Sequence, residues 1–199
     1  MKQLVFLLAI ATILFSCCMN KQTDLIEICE QNSDTADLDR CYMDAALMHV
    51  DVSSCDRIRV NDTKCICYVK VAKFSGNHKI CNQIEEEGYQ YYCLAWVKGD
   101  STFCEDAKVL NGRDICYYWI ARTMSNITLS EKVKDTGQRD ACYVEVASEE
   151  RNETMCEKAV LQSKRDECYR TVAIQSRNPA LCPKIKDDDV KELCYSWTR

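Results

Sequence analysis

The chain has 199 residues, of which 47% are hydrophobic, and its 31 acidic and 26 basic side chains leave a net charge of −5. This mildly acidic balance provides neither a basic footprint for nucleic acid nor a polybasic patch for anionic lipid. Cysteine is the unusual component, with 16 residues, but zinc sites need close C-x2-C pairs that this chain lacks. We therefore expect a disulfide framework, with no metal, no cofactor and no nucleic-acid partner.

The N-terminus predicts an export signal over residues 1–16. Met1-Lys2-Gln3 precedes an apolar run from Leu4 to Phe15, which is too short to span a bilayer but fits the core of a secretion signal. The run ends in Leu14-Phe15-Ser16-Cys17, which resembles the lipobox of bacterial and archaeal lipoproteins. The resemblance implies that the signal is cut before Cys17 and that this cysteine carries the lipid. An ordinary signal cut near Ser16, which leaves Cys17 and Cys18 as thiols, is the alternative.

The mature chain, residues 17–199, is then expected to be an extracytoplasmic protein anchored to the cell membrane, on its periplasmic or cell-surface side. Because the chain has no polybasic segment, we expect this attachment to come from the lipid chains. No linker or low-complexity stretch divides these residues, and so we expect one cysteine-rich α-helical repeat domain.

Thirteen of the 16 cysteines fall on a grid with a period of 26 residues that occurs seven times. Each repeat has a first and a second cysteine in the pattern C-x11-C, but Ser130 stands where one first cysteine is due. The step from Cys81 to Cys104 is 23 residues. A fixed period of this size is typical of stacked repeats. The first cysteines are Cys29, Cys55, Cys81, Cys104, Cys156 and Cys182, and the second are Cys41, Cys67, Cys93, Cys116, Cys142, Cys168 and Cys194.

Two sets of capping residues predict two helices in each repeat. Asn or Asp stands four residues before the first cysteine, where its side chain can accept from the N–H groups of a helix start. Cap and turn residues recur five residues before the second cysteine and predict a longer helix. The room between the two starts allows a first helix of roughly nine or ten residues. The first set is Asp51, Asn77, Asp100, Asn126, Asn152 and Asn178, and the second is Asp62, Gly88, Asn111, Gly137, Ser163 and Asp189.

The predicted fold is all-α, a solenoid-like array of seven 26-residue helical hairpins. Tyrosine follows the second cysteine directly in six repeats, and alanine follows it at five positions in five repeats. Alanine permits close approach of helices and tyrosine supplies apolar area, so this stripe predicts the stacking face. Since Asp100 keeps its capping position, we place the three-residue deletion at about Val97 to Gly99. The array resembles in design the Sel1-like cysteine-rich helical repeat proteins of secreted bacterial origin. Its repeats are shorter than theirs, and its cysteine loop is longer.

Geometry selects a pairing of cysteines within each repeat. Two cysteines of a hairpin can form a disulfide only if they lie level across the helix pair. Both cysteines of a C-x11-C pair stand about five or six residues from the turn, whereas cysteines of neighbouring repeats stand at unequal distances from theirs. We therefore predict the pairs Cys29–Cys41, Cys55–Cys67, Cys81–Cys93, Cys104–Cys116, Cys156–Cys168 and Cys182–Cys194.

The remaining cysteines are candidate thiols outside the disulfide framework, namely Cys18, Cys65 and Cys142. Cys65 stands two residues before a second cysteine, where other repeats carry Asp or Glu. On a helix it points about 200° away from Cys67, so these two should not pair. Three Asn-X-Thr sequons, at Asn61, Asn126 and Asn152, are candidate glycosylation sites in an exported chain. For the last two, a purely capping role is the alternative.

Eight of the 17 aromatic residues lie between positions 89 and 119. Beyond the stacking tyrosine, this stretch offers Tyr89, Tyr91, Tyr92, Trp96 and Trp119 as a candidate binding surface, because aromatic residues are favoured at interfaces. The alternative is that the rings fill the space left by the deletion.

The sequence shows no Gly-rich phosphate loop, nucleophile elbow or carboxylate–histidine constellation, and so we expect no enzymatic activity. The predicted function is that of an exported, lipid-anchored helical-repeat protein with a surface for a protein or peptide partner. The alternative is a thiol-redox or metal-handling protein that uses Cys65 and Cys142, which would require a lowered thiol pKa.

Overall fold

A computed structural model of the chain describes residues 26–30 and 35–198. The chain divides into two compact units, residues 1–84 and residues 85–199, and each is treated by itself. The predicted export signal, Cys17 and Cys18 lie outside the described residues. Within the described ranges, no helix combines the length and the apolar character needed to cross a membrane.

The described residues form helices joined by turns, with no strand among them, and the all-α repeat array is confirmed. The first unit contains α1 (residues 26–30), α2 (Thr35–His49), the 3-10 helix η1 (Val52–Arg57), α3 (Asn61–Ser75) and η2 (His78–Gln83). The second unit contains α4 (Glu87–Lys98), η3 (Ser101–Asp106), α5 (Leu110–Thr123), α6 (Ile127–Ser130), α7 (Thr136–Glu150), η4 (Glu153–Lys158), α8 (Gln162–Ser176), η5 (Pro179–Lys184) and α9 (Asp188–Thr198).

All six predicted N-caps of the shorter helices are confirmed. The side-chain oxygen of each accepts a hydrogen bond from the N–H two residues later, as Asp100 does from Thr102 at 2.9 Å. Each of these bonds satisfies a donor that a helix start leaves exposed. The remaining caps are Asp51, Asn77, Asn126, Asn152 and Asn178.

The length predicted for these shorter helices is wrong, because five of them are 3-10 helices of six residues. An apolar residue three positions after the first cysteine ends each one. The N–H of Ile58, for example, donates to the carbonyl oxygen of Cys55 at 3.1 Å, which is the bonding pattern of a 3-10 helix. Ile58 then takes an extended backbone and buries its side chain.

The longer helices begin one residue before the predicted starts, and α3, α4, α5 and α8 have no side-chain cap of their own. Before α3, α5 and α8, a carboxylate from the preceding repeat instead accepts from backbone N–H groups of the chain that enters the helix. Before α4 it has no equivalent, since Cys65 stands at that position. On α2, the two oxygens of Asp39 accept from the N–H groups of Arg59 and Val60, both at 3.0 Å. We call this group the inter-repeat carboxylate. Two residues before the second cysteine, it is buried at Asp39, Asp114, Asp140 and Asp166.

The 23-residue step removes three residues from within α4, which has 12 residues where α3, α7 and α8 have 15. Each longer helix except α9 closes with a hydrogen bond from the N–H of the next cap residue to the carbonyl oxygen of a buried alanine five residues earlier, as from Asp100 to Ala95 at 2.9 Å. In the other repeats this alanine follows the second cysteine at five positions, but Ala95 follows Cys93 at two. The deletion therefore lies between Cys93 and Ala95, and the predicted position near Val97 to Gly99 is wrong.

The residue directly before the N-cap of each shorter helix from η1 onward has a left-handed backbone conformation. Glycine occupies this place at Gly76 and Gly99, but Val50, Ser125, Arg151 and Arg177 also have a positive φ, of 47° to 52°. A residue with a Cβ pays about 1–2 kcal/mol in this conformation. Glycine avoids that cost but has more freedom in the unfolded chain.

We expect Arg151→Gly to raise the free energy of unfolding by about 0.5–1 kcal/mol, because the relief of backbone strain exceeds the added entropy of the unfolded chain. Urea unfolding followed by circular dichroism measures this change. Gly99→Ala is the matched reverse substitution and should lower stability by a similar amount. A loss of stability in Arg151→Gly would instead show that the arginine side chain contributes packing there.

Twelve cysteines among the described residues are disulfide-bonded. The predicted pairs Cys29–Cys41, Cys55–Cys67, Cys104–Cys116, Cys156–Cys168 and Cys182–Cys194 have Cα–Cα distances of 5.5 to 5.7 Å, and Cys81 and Cys93 also carry disulfide bonds. This framework indicates an oxidising, extracytoplasmic environment. Each bridge ties a short helix to the longer helix that follows it, and so staples one hairpin.

The tyrosine–alanine stripe is buried in the core as predicted, except at Tyr195, which is 37% exposed. Its tyrosines also connect neighbouring repeats. The hydroxyl of Tyr117 donates to Glu105 of the same repeat, while Lys132 of the next repeat lies 3.2 Å from that carboxylate and 5.0 Å from the centre of the Tyr117 ring. Because a similar acid and tyrosine recur as Asp56 with Tyr68 and as Glu157 with Tyr169, the arrangement is structural and not a single reactive site.

Candidate functional site

The predicted aromatic surface lies on α4 and α5, which pack against each other in the second unit. Gly88 makes their close approach possible, since a methyl group added there would lie 2.7 Å from Cβ of Ile115 and 2.9 Å from the carbonyl oxygen of Gly112. The prediction that Gly88 caps a helix is wrong, because it is buried inside α4. The tight contact between the helices brings their aromatic side chains together.

Four of the five predicted residues form one group of rings. Tyr92 stacks on Trp96 of its own helix with ring centres 5.9 Å apart, and on Trp119 of α5 at 6.0 Å. Tyr89 lies 5.9 Å from Trp119 at a tilt of 41°. The fifth residue, Tyr91, is half-buried on α4. We call these five residues the aromatic cluster.

The cluster combines core and surface positions. Tyr89 and Tyr92 are 5% and 4% exposed and therefore belong to the core, which agrees with the alternative that rings fill the shortened repeat. Tyr91, Trp96 and Trp119 are half-buried and present part of their side chains to solvent. The buried rings support the half-buried ones, because aromatic pairs at these distances attract each other beyond their burial of area.

Polar groups at the edge of the cluster fix its geometry. The hydroxyl of Tyr92 hydrogen-bonds to Oγ1 of Thr123 at 2.8 Å, and burial raises the pKa of this tyrosine. The guanidinium of Arg122 lies 5.4 Å from the centre of the Trp119 ring and forms ion pairs with Glu145 at 3.4 Å and Glu149 at 3.5 Å. This arrangement suits stacking and hydrogen bonding to a partner, since it offers ring faces beside a cation and two carboxylates.

Three contributors to the site escaped the sequence analysis. Tyr118 packs edge-on against Trp119 at 5.4 Å, and Arg122 stands one helical turn after Trp119, a spacing that could have revealed its contact with that ring. Glu87 is a third addition, because it replaces the inter-repeat carboxylate in the shortened repeat. Its oxygens accept from the N–H groups of Lys108 and Val109, both at 3.0 Å, and these bonds lower the pKa of the Glu87 carboxyl.

Cys142 sits in an environment that opposes thiol chemistry. Its sulfur is buried against the hydroxyl of Ser130 and lies 3.8 Å from the carbonyl oxygen of Tyr118. Burial raises the pKa of this thiol to about 11, whereas reactive cysteines have a lowered pKa and some exposure. Cys65, the second cysteine that remains a thiol, is also buried. Neither thiol is therefore placed to attack a substrate from solvent.

The sequons and the histidines lie at separate places. Asn126 and Asn152 cap their helices through the side-chain oxygen, while Asn61 is the exposed first residue of α3. His49 ends α2 and His78 begins η2. In the ranges that the structure describes, no group of three His, Cys, Asp or Glu residues is arranged to hold a metal ion.

Known proteins do not add to this description of the site. No protein-family model matches the chain, and no curated protein and no solved structure is similar to it.

Proposed function

We propose that the protein is an exported helical-repeat protein, anchored to the membrane by lipid on Cys17, that binds a protein or peptide partner through the aromatic cluster. The observation that carries the proposal is the position of three half-buried aromatic side chains, Tyr91, Trp96 and Trp119, on the one pair of helices whose regular spacing is broken. A repeat that departs from its neighbours supplies a unique surface in an otherwise periodic array.

The physical support for binding comes from the way the rings are held. Trp96 rests on Tyr92, and Trp119 is clamped between Tyr89, Tyr92 and Arg122. A partner that covers these rings would therefore bury large aromatic area without first having to order the side chains. Residues of this type carry most of the free energy at many protein interfaces.

We expect the double variant Tyr91→Ala, Trp96→Ala to bind peptides selected on the wild-type protein from a random phage-displayed library at least tenfold more weakly. Its free energy of unfolding should fall by only about 1–2 kcal/mol, because both side chains are already partly exposed. Titration of synthetic copies of the selected peptides measures the affinity, and urea unfolding measures the stability.

Trp197→Ala is the matched control, because Trp197 is an exposed tryptophan of α9 outside the cluster. It should leave the peptide affinity unchanged. Equal binding by the double variant would contradict the proposed surface. A loss of stability well above the expected amount would assign the rings to the core instead.

The proposed anchor is tested separately by intact mass spectrometry of the protein extracted from membranes. We expect the mature chain to begin at Cys17 and to carry the added mass of acyl chains. A soluble product that begins at Cys18 or later, without acyl mass, would contradict the anchor and would leave the aromatic surface unaffected.

A further inference from the structure

An exposed apolar edge runs along the C-terminal ends of two neighbouring helices in the first unit. Met48 on α2 and Phe74 on α3 are 70% and 72% exposed, and Val50 just beyond α2 is 47% exposed. Met48 and Phe74 occupy equivalent places, each two residues after a buried alanine, on helices that pack against each other. Packed helices lie roughly 8–10 Å apart, so these side chains form one strip. We call Met48, Val50 and Phe74 the apolar edge.

A large and exposed apolar side chain at this place is particular to the first two repeats in the described part of the chain. At the place of Met48 and Phe74, the later repeats have the half-buried Val97 and then the polar Thr123, Glu149 and Gln175. The left-handed residue after the helix changes in the same way, from Val50 to Arg151 and Arg177. A structural role common to all repeats would require the same residue type in each. The exposed apolar side chains at this place therefore distinguish the first unit from the second.

The distance along the chain from the proposed anchor indicates what the apolar edge contacts. Helix α1 is described from residue 26, which is nine residues after Cys17 (26 − 17 = 9). Nine residues can span at most about 32 Å even when fully extended. If Cys17 carries lipid, the start of α1 cannot lie farther than this from the bilayer surface, whereas the limit for later repeats is much wider.

The charges around the apolar edge are compatible with a lipid headgroup layer. Lys73 and Lys79 are exposed on either side of the turn that follows Phe74, and Asp51, the acidic group next to Val50, is half-buried and caps η1. Exposed apolar side chains flanked by lysine are typical of segments that lie in the membrane interface. The acidic chain as a whole offers no long-range attraction to anionic lipid, so contact must come from insertion of apolar groups.

We infer that the apolar edge inserts into the headgroup region of the membrane that holds the lipid of Cys17, and so orients the first unit on that membrane. The inference rests on the anchor named in the proposed function. Phe74, Met48 and Val50 enter the interface, while Lys73 and Lys79 remain at the level of the lipid phosphates.

The test uses the whole mature chain, residues 17–199, with Cys17→Ser and Cys18→Ser, so that any binding comes without attached lipid. This protein is produced by export behind a cleavable leader, so that its disulfides form. It is then mixed with phosphatidylcholine vesicles, with or without phosphatidylglycerol, and vesicle-bound protein is separated from free protein by flotation. We expect binding to both vesicle types, and we expect Met48→Ser with Phe74→Ser to weaken it roughly tenfold or more. Leu110→Ser with Met124→Ser removes two exposed apolar side chains of the second unit and should leave vesicle binding unchanged.

Three results would overturn the inference. One is equal vesicle binding by the Met48→Ser, Phe74→Ser variant and its parent, and another is binding that needs phosphatidylglycerol and ignores these substitutions. The third is no binding to either vesicle type. In that case a dimer that the two substitutions dissociate, seen by analytical ultracentrifugation, would show that the edge contacts a second copy of the chain. A circular dichroism spectrum and a thiol count confirm that each variant is folded. Because this protein carries no lipid, the outcome is independent of the mass measurement that tests the anchor.

Discussion

Ser130→Cys is expected to close an additional disulfide with Cys142 and to raise the free energy of unfolding by about 3 kcal/mol, the value typical of a loop of this size. Ser130 stands where the repeat pattern places a first cysteine, and both residues are completely buried with the hydroxyl against the sulfur. The equivalent pairs in other repeats have Cα–Cα distances of 5.5 to 5.7 Å. We therefore expect the new sulfur to meet its partner with little movement of the backbone.

Two measurements check this result. Alkylation under denaturing, non-reducing conditions should detect one thiol fewer than in the wild-type protein, and urea unfolding should show the gain in stability. Ser130→Cys combined with Cys142→Ser is the matched control, because it keeps a cysteine and a serine in contact but cannot form the bridge. A variant that keeps both thiols, or one that is less stable than this control, would show that the short helix α6 holds residue 130 out of bonding position.

Asp114→Ala is expected to lower the free energy of unfolding by about 3–5 kcal/mol, because it removes two hydrogen bonds between backbone N–H groups and a buried carboxylate. The two oxygens of Asp114 accept from the N–H groups of Lys134 and Asp135, both at 2.8 Å, and the side chain is buried on α5. Hydrogen bonds to a charged acceptor are about twice as strong as bonds between neutral groups. Urea unfolding measures the loss.

Two further variants separate the hydrogen bonds from other effects of the substitution. Asp114→Asn keeps the shape and one acceptor and should lose roughly half as much stability. Asp106→Ala removes an exposed carboxylate at the end of η3 and should change stability by less than about 0.5 kcal/mol. If Asp106→Ala were as damaging as Asp114→Ala, the loss would reflect net charge and not capping of the next repeat.

The features that the sequence predicted correctly are those encoded within one repeat. The C-x11-C spacing identified the disulfides, and Asn or Asp four residues before the first cysteine identified the caps, since both depend on a few neighbouring residues. The inter-repeat carboxylate was missed because its partners lie 20 and 21 residues later along the chain, as Lys134 and Asp135 do from Asp114. Its recurrence two residues before the second cysteine, as Asp39, Asp114, Asp140 and Asp166, was the available signal.

The aromatic cluster was predicted as a set of residues but not as an arrangement. Removal of three residues from an α-helix rotates everything beyond them by about 300°, so the side chains of α4 before and after the deletion no longer follow the pattern of the other repeats. Which rings are buried then depends on the contact at Gly88 and Ile115, which the sequence does not specify. For this reason Tyr92 joined the core, whereas Tyr91 and Trp96 stayed at the surface.

The inter-repeat carboxylate gives the array a direction of assembly. A hairpin lost from the C-terminal side would leave a carboxylate that water can solvate readily. A hairpin lost from the N-terminal side would leave the next helix without the acceptor for the two N–H groups that precede it. During synthesis, which delivers the N-terminus first, a hairpin that follows Asp39, Asp114, Asp140 or Asp166 finds its predecessor already present with the acceptor in place. When the array grows from its N-terminal end, each of these N–H donors therefore meets its carboxylate acceptor as soon as it emerges.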